Sequence, residues 1–397
     1  MQIVHINVRL SEGGAAKVAL DLHRRLQSNG IGSVFFYGYG TGANKSYLES
    51  STQDAMSVAS KSQVILNYLT HSIAGIECFS LKAKIKSELL ENVEKSDVVH
   101  LHAVHSYFLP LPLLSEILER GKRIIWTCHD YWPITGRCAF TEVCTRWKQG
   151  CGGCVTKVNY PPSIIDISKL IFKRKRSLLA KYRRKITFVA PSLFVRDIYR
   201  NALPDHNIIT IHNGIDSDIE MIASKTQMSS SVCQNKGLNI VVMANDLNDD
   251  TKINQSLVNS ILKNNNLTLH TIGRNSPFLA DNVINHGVIN DRKELFDTLK
   301  CMDALVFSSI KDTFGLVMIE SMICGTPVLA THSEASNEVL GMVGHKTYSE
   351  DEIVVMLRDA SVAKDLLEKL RHTLSQDIIQ TFSGETMFKS YVSLYAG

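Results

Sequence analysis

Residues 303–331, DALVFSSIKDTFGLVMIESMICGTPVLAT, decide how this chain folds. Ala304 to Phe307 is a short apolar run, the pattern of a buried strand. A polar loop from Ser308 to Thr313 follows, and Phe314-Gly315-Leu316 opens a segment of helical spacing. Val317, Ser321 and Cys324 share one face of it, with Met318 and Met322 on a neighbouring one. Gly325-Thr326-Pro327 stops that helix, and Val328 to Ala330 begins another buried strand. Strand, loop, helix and strand in this order form a unit of a parallel α/β sheet. Its loop leaves bare amides at a helix N-terminus, and Gly315 lets a ligand approach the backbone. Asp312 and Glu320 bracket the opening of the helix. Two acids at that spacing are, by themselves, most simply a solvated loop acid and a surface helix acid. F-G-L after the first and C-G-T-P-V after the second make the pair a candidate site.

With those flanks the segment resembles the E-x7-E signature of the retaining family 4 glycosyltransferases, which have the GT-B fold: two Rossmann-like domains facing a central cleft. The resemblance implies that Asp312, one methylene shorter than the usual Glu, and the amides of Phe314, Gly315, Leu316 and Val317 hold a donor sugar. It further implies that Glu320 grips the nucleotide ribose.

A chain of 397 residues suits two domains of ordinary size. Its 44% hydrophobic and 21% charged content is globular and excludes a disordered chain. A net charge of +4 is mild, so any basic surface must come from local clustering. No apolar run approaches the roughly twenty residues that span a bilayer, and no signal-peptide pattern opens the sequence. The expected location is cytoplasmic. There, the nine cysteines point to metal where they cluster rather than to disulfides.

The first half begins with an apolar strand, Met1 to Val8, then a small-residue loop containing Gly13-Gly14. A helix marked by Val18, Leu22 and Leu26 follows. Gly13 and Gly14 let amides approach a phosphate or sugar, although a glycine pair is equally a tight turn. Asp97 to His102 and Arg123 to Thr127 are further strands. The second ends Cys128-His129-Asp130, where the family often carries T-x-H-D with its histidine near the donor sugar. The resemblance therefore assigns His129 to the site; the alternative is a histidine bonded to neighbouring backbone.

Cys138, Cys144, Cys151 and Cys154 lie within seventeen residues, the last two as C-x2-C among glycines. Four soft thiolates can close a tetrahedron around a structural Zn²⁺ with no open position for catalysis. This insertion, together with the opening MQIVHINVRLSEGGAAKVALDLH, HDYWPITGRCAF and MDALVFSS, resembles the exopolysaccharide glycosyltransferases of the colanic acid type. Such enzymes imply a hexose transferred from a UDP- or GDP-sugar to a lipid-linked oligosaccharide, with no catalytic metal.

From Ile167 to Arg196 no acid occurs, and nine cations from Lys169 to Lys185 crowd among Leu, Ile and Phe. That pattern is a basic amphipathic helix able to lie on an anionic membrane, or equally a solvated helix. No nucleic-acid fold or stacking platform accompanies it, so nucleic acid is not an expected partner. Peripheral attachment to the inner face of the cytoplasmic membrane is the corresponding expectation.

His212-Asn213-Gly214-Ile215-Asp216 resembles the family's N-G-I-D turn, so Asp216-Ser217-Asp218 is not read as a metal-binding D-x-D. Residues 1–223 are expected to form the acceptor domain, with the cysteine insertion at 138–154. A linker at 224–237 and a nucleotide-sugar domain at 237–381 follow, and a final helix, 382–397, packs back on the first domain. In the second domain Lys252 matches the family's diphosphate lysine, and Arg274 is the candidate for its missing arginine. Two other functions remain open at this level: a nucleotide-sugar epimerase of the same fold, or an inactive scaffold of a polysaccharide assembly complex.

Overall fold

The computed structural model describes residues 1–39, 54–75, 83–141, 144–154, 163–225, 237–374 and 377–397. Most of the linker expected at 224–237 lies outside them. The chain divides into two compact units: Met1–Ile211 with Ser390–Gly397, and His212–Lys389.

In the first unit seven strands form one sheet: β1 (Gln2–Asn7), β2 (Gly32–Tyr37), β3 (Ala55–Ser57), β4 (Val98–Leu101), β5 (Ile124–Thr127), β6 (Ile186–Ala190) and β7 (Asn207–Thr210). Their order is β3-β2-β1-β4-β5-β6-β7, and every pairing is parallel. The helices with it are α1 (Gly14–Ser28), α2 (Lys61–Ala74), α3 (Ala83–Lys95), α4 (Leu111–Arg120), α5 (Ser168–Tyr182) and α6 (Leu193–Ala202). The strands alternate in what they present, as successive side chains must. Val4, Ile6, Val99, Leu101, Ile124 and Trp126 join one apolar cluster. The intervening positions His5, His100 and Thr127 point to the other face, and they are polar and buried.

The second unit has a five-stranded parallel sheet, β10-β9-β8-β11-β12. It is built from β8 (Leu238–Asp246), β9 (Leu267–Arg274), β10 (Val283–Gly287), β11 (Ala304–Phe307) and β12 (Val328–Ala330). Helices α7 (Ser217–Lys225), α8 (Gln255–Ile261), α9 (Arg292–Lys300), α10 (Leu316–Ile323), α11 (Glu334–Met342), α12 (Glu350–Met356), α13 (Ala360–Thr373), α14 (Asp377–Thr381) and α15 (Gly384–Ala396) follow the chain. Here both faces are apolar. Val241 and Leu305 belong to one cluster, and Ile240, Val242, Ala304 and Val306 to another. This is the near-continuous hydrophobic reading of a doubly covered parallel sheet.

The boundary falls at residue 211 rather than at the expected 223. Ile215 and Ile219 are buried in the core of the second unit, which draws the N-G-I-D turn and α7 with them. At the other end Phe382 is part of that same core, so the return to the first unit begins at Ser390 rather than at 382.

Candidate active site

In the second unit, β8 and β11 are neighbours, so the loops leaving their carboxyl ends are neighbours as well. Ile310 N donates to Thr251 O (3.0 Å), tying the two loops together. The tie brings Lys252 Nζ to 2.9 Å from Asp312 Oδ1, and the pair is half-exposed. The shorter acid therefore reaches the cation expected to face a diphosphate. Gly315 follows as the N-cap of α10 with φ +85, and an added Cβ would lie 2.6 Å from Met318 Cε. The positive φ is what favours glycine there, since the end of the Met318 side chain can shift. Phe314 is buried beside it, stacked on His212 (centroids 5.8 Å) and edge-on to Phe382. Leu316 and Val317 form the first turn, whose amides have no intrahelical acceptor.

Glu320 lies one turn further and is buried. Its Oε1 accepts from Arg292 Nη1 at 3.1 Å, and the other Nη of Arg292 bonds Asp216. Burial alone would lower the Arg292 pKa, but Glu320 and Asp216 more than offset this and raise it. One guanidinium thus fixes two acids, orienting Glu320 through a charge-assisted bond. Asp216 also caps α7, its Oδ1 accepting from Ile219 N at 3.0 Å. That is a structural use, in keeping with setting aside D-x-D. The sequence reading missed Arg292. It sought an arginine on the β8 loop or at Arg274, whereas Arg292 opens α9 directly after the N-cap Asp291. Arg274 ends β9 with its side chain exposed and its carbonyl accepting from Leu247 N (2.9 Å).

In the first unit Gly13, at φ +85, is the N-cap of α1, and Gly14 is the first residue of that helix. Both are exposed, and no atom lies within 4 Å of a Cβ built on Gly13. The loop at the end of β1 is open to an approaching group.

His129 is buried and is the outer member of a chain of imidazoles. Its Nε2 is 3.1 Å from His102 Nδ1, and His102 Nε2 is 3.1 Å from His5 Nδ1. Beside them His100 bonds Tyr395 Oη (2.7 Å) and Thr127 Oγ1 (2.7 Å), and Thr127 bonds Tyr391 Oη (2.9 Å). The C-terminal Y-x3-Y is thereby hydrogen-bonded to the polar face of the first sheet. Burial drives the pKa values of His5, His100 and His102 well below the ordinary histidine value. It drives that of His129 to about 4, against the opposing pull of Asp130. The rings are neutral near pH 7, and each carries a single N–H to share along the chain. His129 is therefore equipped to accept or donate a hydrogen bond, and not to act as a cation.

Cys138, Cys144, Cys151 and Cys154 are all half-buried. Gly136 N donates to Cys151 Sγ at 3.1 Å. Gly150, Cys151, Gly152 and Gly153 all have positive φ, the winding of a tight knuckle around C-x2-C. Among the described residues the group with three metal-competent atoms in mutual reach is His5, His100 and His102, not the cysteines.

Parallel Rossmann-like units and a helix N-terminus flanked by Lys252–Asp312 and Arg292–Glu320 define a GT-B glycosyltransferase, a nucleotide-sugar-dependent transferase. The profile of glycosyltransferase family 4 matches residues 12–219, and that of the glycosyl transferases group 1 matches residues 251–376. The chain belongs to family 4. It is 36% identical to the colanic acid biosynthesis glycosyl transferase WcaC of Escherichia coli (strain K12), across 100% of this chain and 99% of that one. It is also 23% identical to the N-acetyl-alpha-D-glucosaminyl L-malate synthase of Bacillus anthracis, across 76% of this chain and 75% of that one. The fold is shared with Anabaena Alr3699/HepE in complex with UDP-glucose (TM-score 0.64, 14% identity, covering 100% and 99% of the two chains). It is shared too with WaaG, a glycosyltransferase involved in lipopolysaccharide biosynthesis (TM-score 0.57, 13% identity, 100% of both chains). Among the described residues no helix is long and apolar enough to cross a membrane.

Proposed function

We propose that this chain transfers a hexose, with retention of configuration, from a UDP- or GDP-sugar to a lipid-linked oligosaccharide in the assembly of a colanic acid-like exopolysaccharide. The observation that carries this reading is Glu320, buried and aimed by Arg292 one turn inside a helix whose N-terminal amides follow Asp312. Glu320 accepts the ribose hydroxyls. Asp312 and the amides of Phe314–Val317 hold the hexose, and Lys252 shifts from Asp312 to the diphosphate as the leaving group gains charge. His129, kept neutral, contacts the donor sugar, and Gly13-Gly14 admits the sugar or phosphate to the backbone of the first unit. The full-length match to a relative named for colanic acid biosynthesis supports the product class. Glu320→Gln should weaken binding of the matching nucleoside diphosphate by about 1.5–3 kcal/mol in isothermal titration, since a bond to a charged acceptor is lost. Unchanged affinity would remove Glu320 from the ribose.

The reading includes a structural zinc held by Cys138, Cys144, Cys151 and Cys154, which would secure the segment after His129. The left-handed knuckle and the Gly136 N–H···S bond suit thiolate ligands. Metal analysis of purified protein should find about one zinc per chain, lost in Cys154→Ser. Zinc-free protein of full stability would refute it.

A further inference from the structure

Helix α2 is built inside out. Its polar residues Asn67 and His71 are buried, while Ile65, Leu66, Leu69 and Ile73 are between 49% and 60% exposed. The reason lies in the turn at Ser106-Tyr107, where both residues take positive φ. Asn67 Nδ2 donates to Tyr107 O at 2.8 Å, and the rings of Tyr68 and His71 both pack against Tyr107. Anchoring that strained turn consumes the polar side of the helix and turns its aliphatic side outward.

The segment entering α5 extends this surface. Ile164 N and Ile165 N donate to Ser72 O and Ile73 O, and Ile167 sits against Gly75. Ile164 is 74% exposed, Ile165 51% and Leu170 47%. A contiguous aliphatic surface of this kind calls for a partner. The cations of α5 and of the residues just after it say which one. Lys175 is buried, bonding Trp132 O and lying 3.8 Å over the Trp132 ring. Arg176 bonds Ala202 O, and Lys185 bonds the carbonyls of Glu119 and Gly121. These three serve the fold. Lys169, Lys173, Arg174, Lys181, Arg183 and Arg184 remain exposed. Asp166, the acid at the start of α5, is occupied by the amides of Cys154 and Ser168.

We infer that the aliphatic side of α2, with Ile164, Ile165 and Leu170, inserts into the surface of an anionic lipid bilayer while the exposed cations of α5 engage its head groups. This deepens the lipid-linked acceptor reading and rests on it for its purpose. It moves the anchoring element from the basic helix to α2, with α5 as the electrostatic rim.

Flotation of the full-length protein with phosphatidylcholine vesicles, with and without phosphatidylglycerol, tests it. Wild type should bind the anionic vesicles and keep part of that binding at high salt, because apolar insertion is unscreened. Ile65→Ser/Leu69→Ser/Ile73→Ser should remove the salt-resistant part, a fall of roughly tenfold or more. Lys169→Ser/Lys173→Ser/Arg174→Ser should remove the salt-sensitive part. The aliphatic positions are exposed, so retained UDP or GDP binding verifies folding. Wild type that ignores anionic vesicles, or a serine variant that binds them unchanged, overturns the inference. So does a serine variant that only converts a dimer to a monomer, which would assign the surface to a second copy. Vesicle binding without nucleotide binding would overturn the donor reading alone.

Discussion

The polar face of the first sheet and the acid-lined helix of the second both keep polar side chains in a core, by different chemistry. On β1, β4 and β5 the groups are imidazoles and hydroxyls, held neutral and linked ring to ring and ring to hydroxyl. Around α10 they are full charges, with Arg292 set between Glu320 and Asp216. A neutral network loses little when a link is broken, because each member gives up one ordinary hydrogen bond. A buried ion set loses a great deal, because what remains is an unpaired charge. The contrast also suits the proposed roles. A nucleotide-binding acid must stay ionised, whereas a histidine that touches a sugar needs only a lone pair or an N–H.

The sharpest way to break the comparison is Arg292→Met. Removing the guanidinium takes a charge partner from Glu320, which is buried, and from Asp216, which is partly exposed, with an expected loss of up to about 3–5 kcal/mol in urea denaturation. Adding Glu320→Gln and Asp216→Asn to the same chain should return part of it. A loss below about 1 kcal/mol would mean the acids are solvated and the contrast is false.

Acid is the corresponding probe of the imidazole face. In the unfolded chain these histidines titrate near 6.5; in the fold burial holds them lower, His129 at about 4. As pH falls below about 6.5 the unfolded state takes up protons first, so stability falls through the window down to about 4. For His129 alone that range corresponds to about 3 kcal/mol. Arg292, charged throughout the window, adds no slope of its own. Stability that stays flat between neutral pH and about 4.5 would show that the rings are accessible to protons in the fold.

The smallest effect should come from Tyr391→Phe, which removes the bond to Thr127 while Thr127 keeps its bond to His100. About 1 kcal/mol is expected by thermal denaturation. A value near that of Arg292→Met would mean that the two faces are equally intolerant.

Much of the second unit was legible in the sequence, because its signals are local. The apolar runs at 304–307 and 328–330, the glycine at the helix opening and the acids on either side lie within thirty residues, and the structure keeps their order. Lys252 was singled out by its match to the family's lysine. Arg292 was not, since it meets Glu320 across 28 residues through the packing of two helices. The histidines were harder still. His5, His100 and His102 carry no motif of their own, and only the register of β1 with β4 places His5 beside His100. The nine-cation segment likewise read as one basic surface, yet three of its cations turn inward.

By itself, then, the sequence determined two parallel α/β units, the family, and the loop and helix that carry Asp312 and Glu320. Periodicity, glycine and short spacing are encoded along the chain. Tertiary structure alone decided which arginine orients Glu320, that five polar side chains of one sheet face form a neutral network, and that α2 shows its aliphatic side. Those outcomes depend on strand register and on which face of a helix a distant turn claims, and neither is written in neighbouring residues.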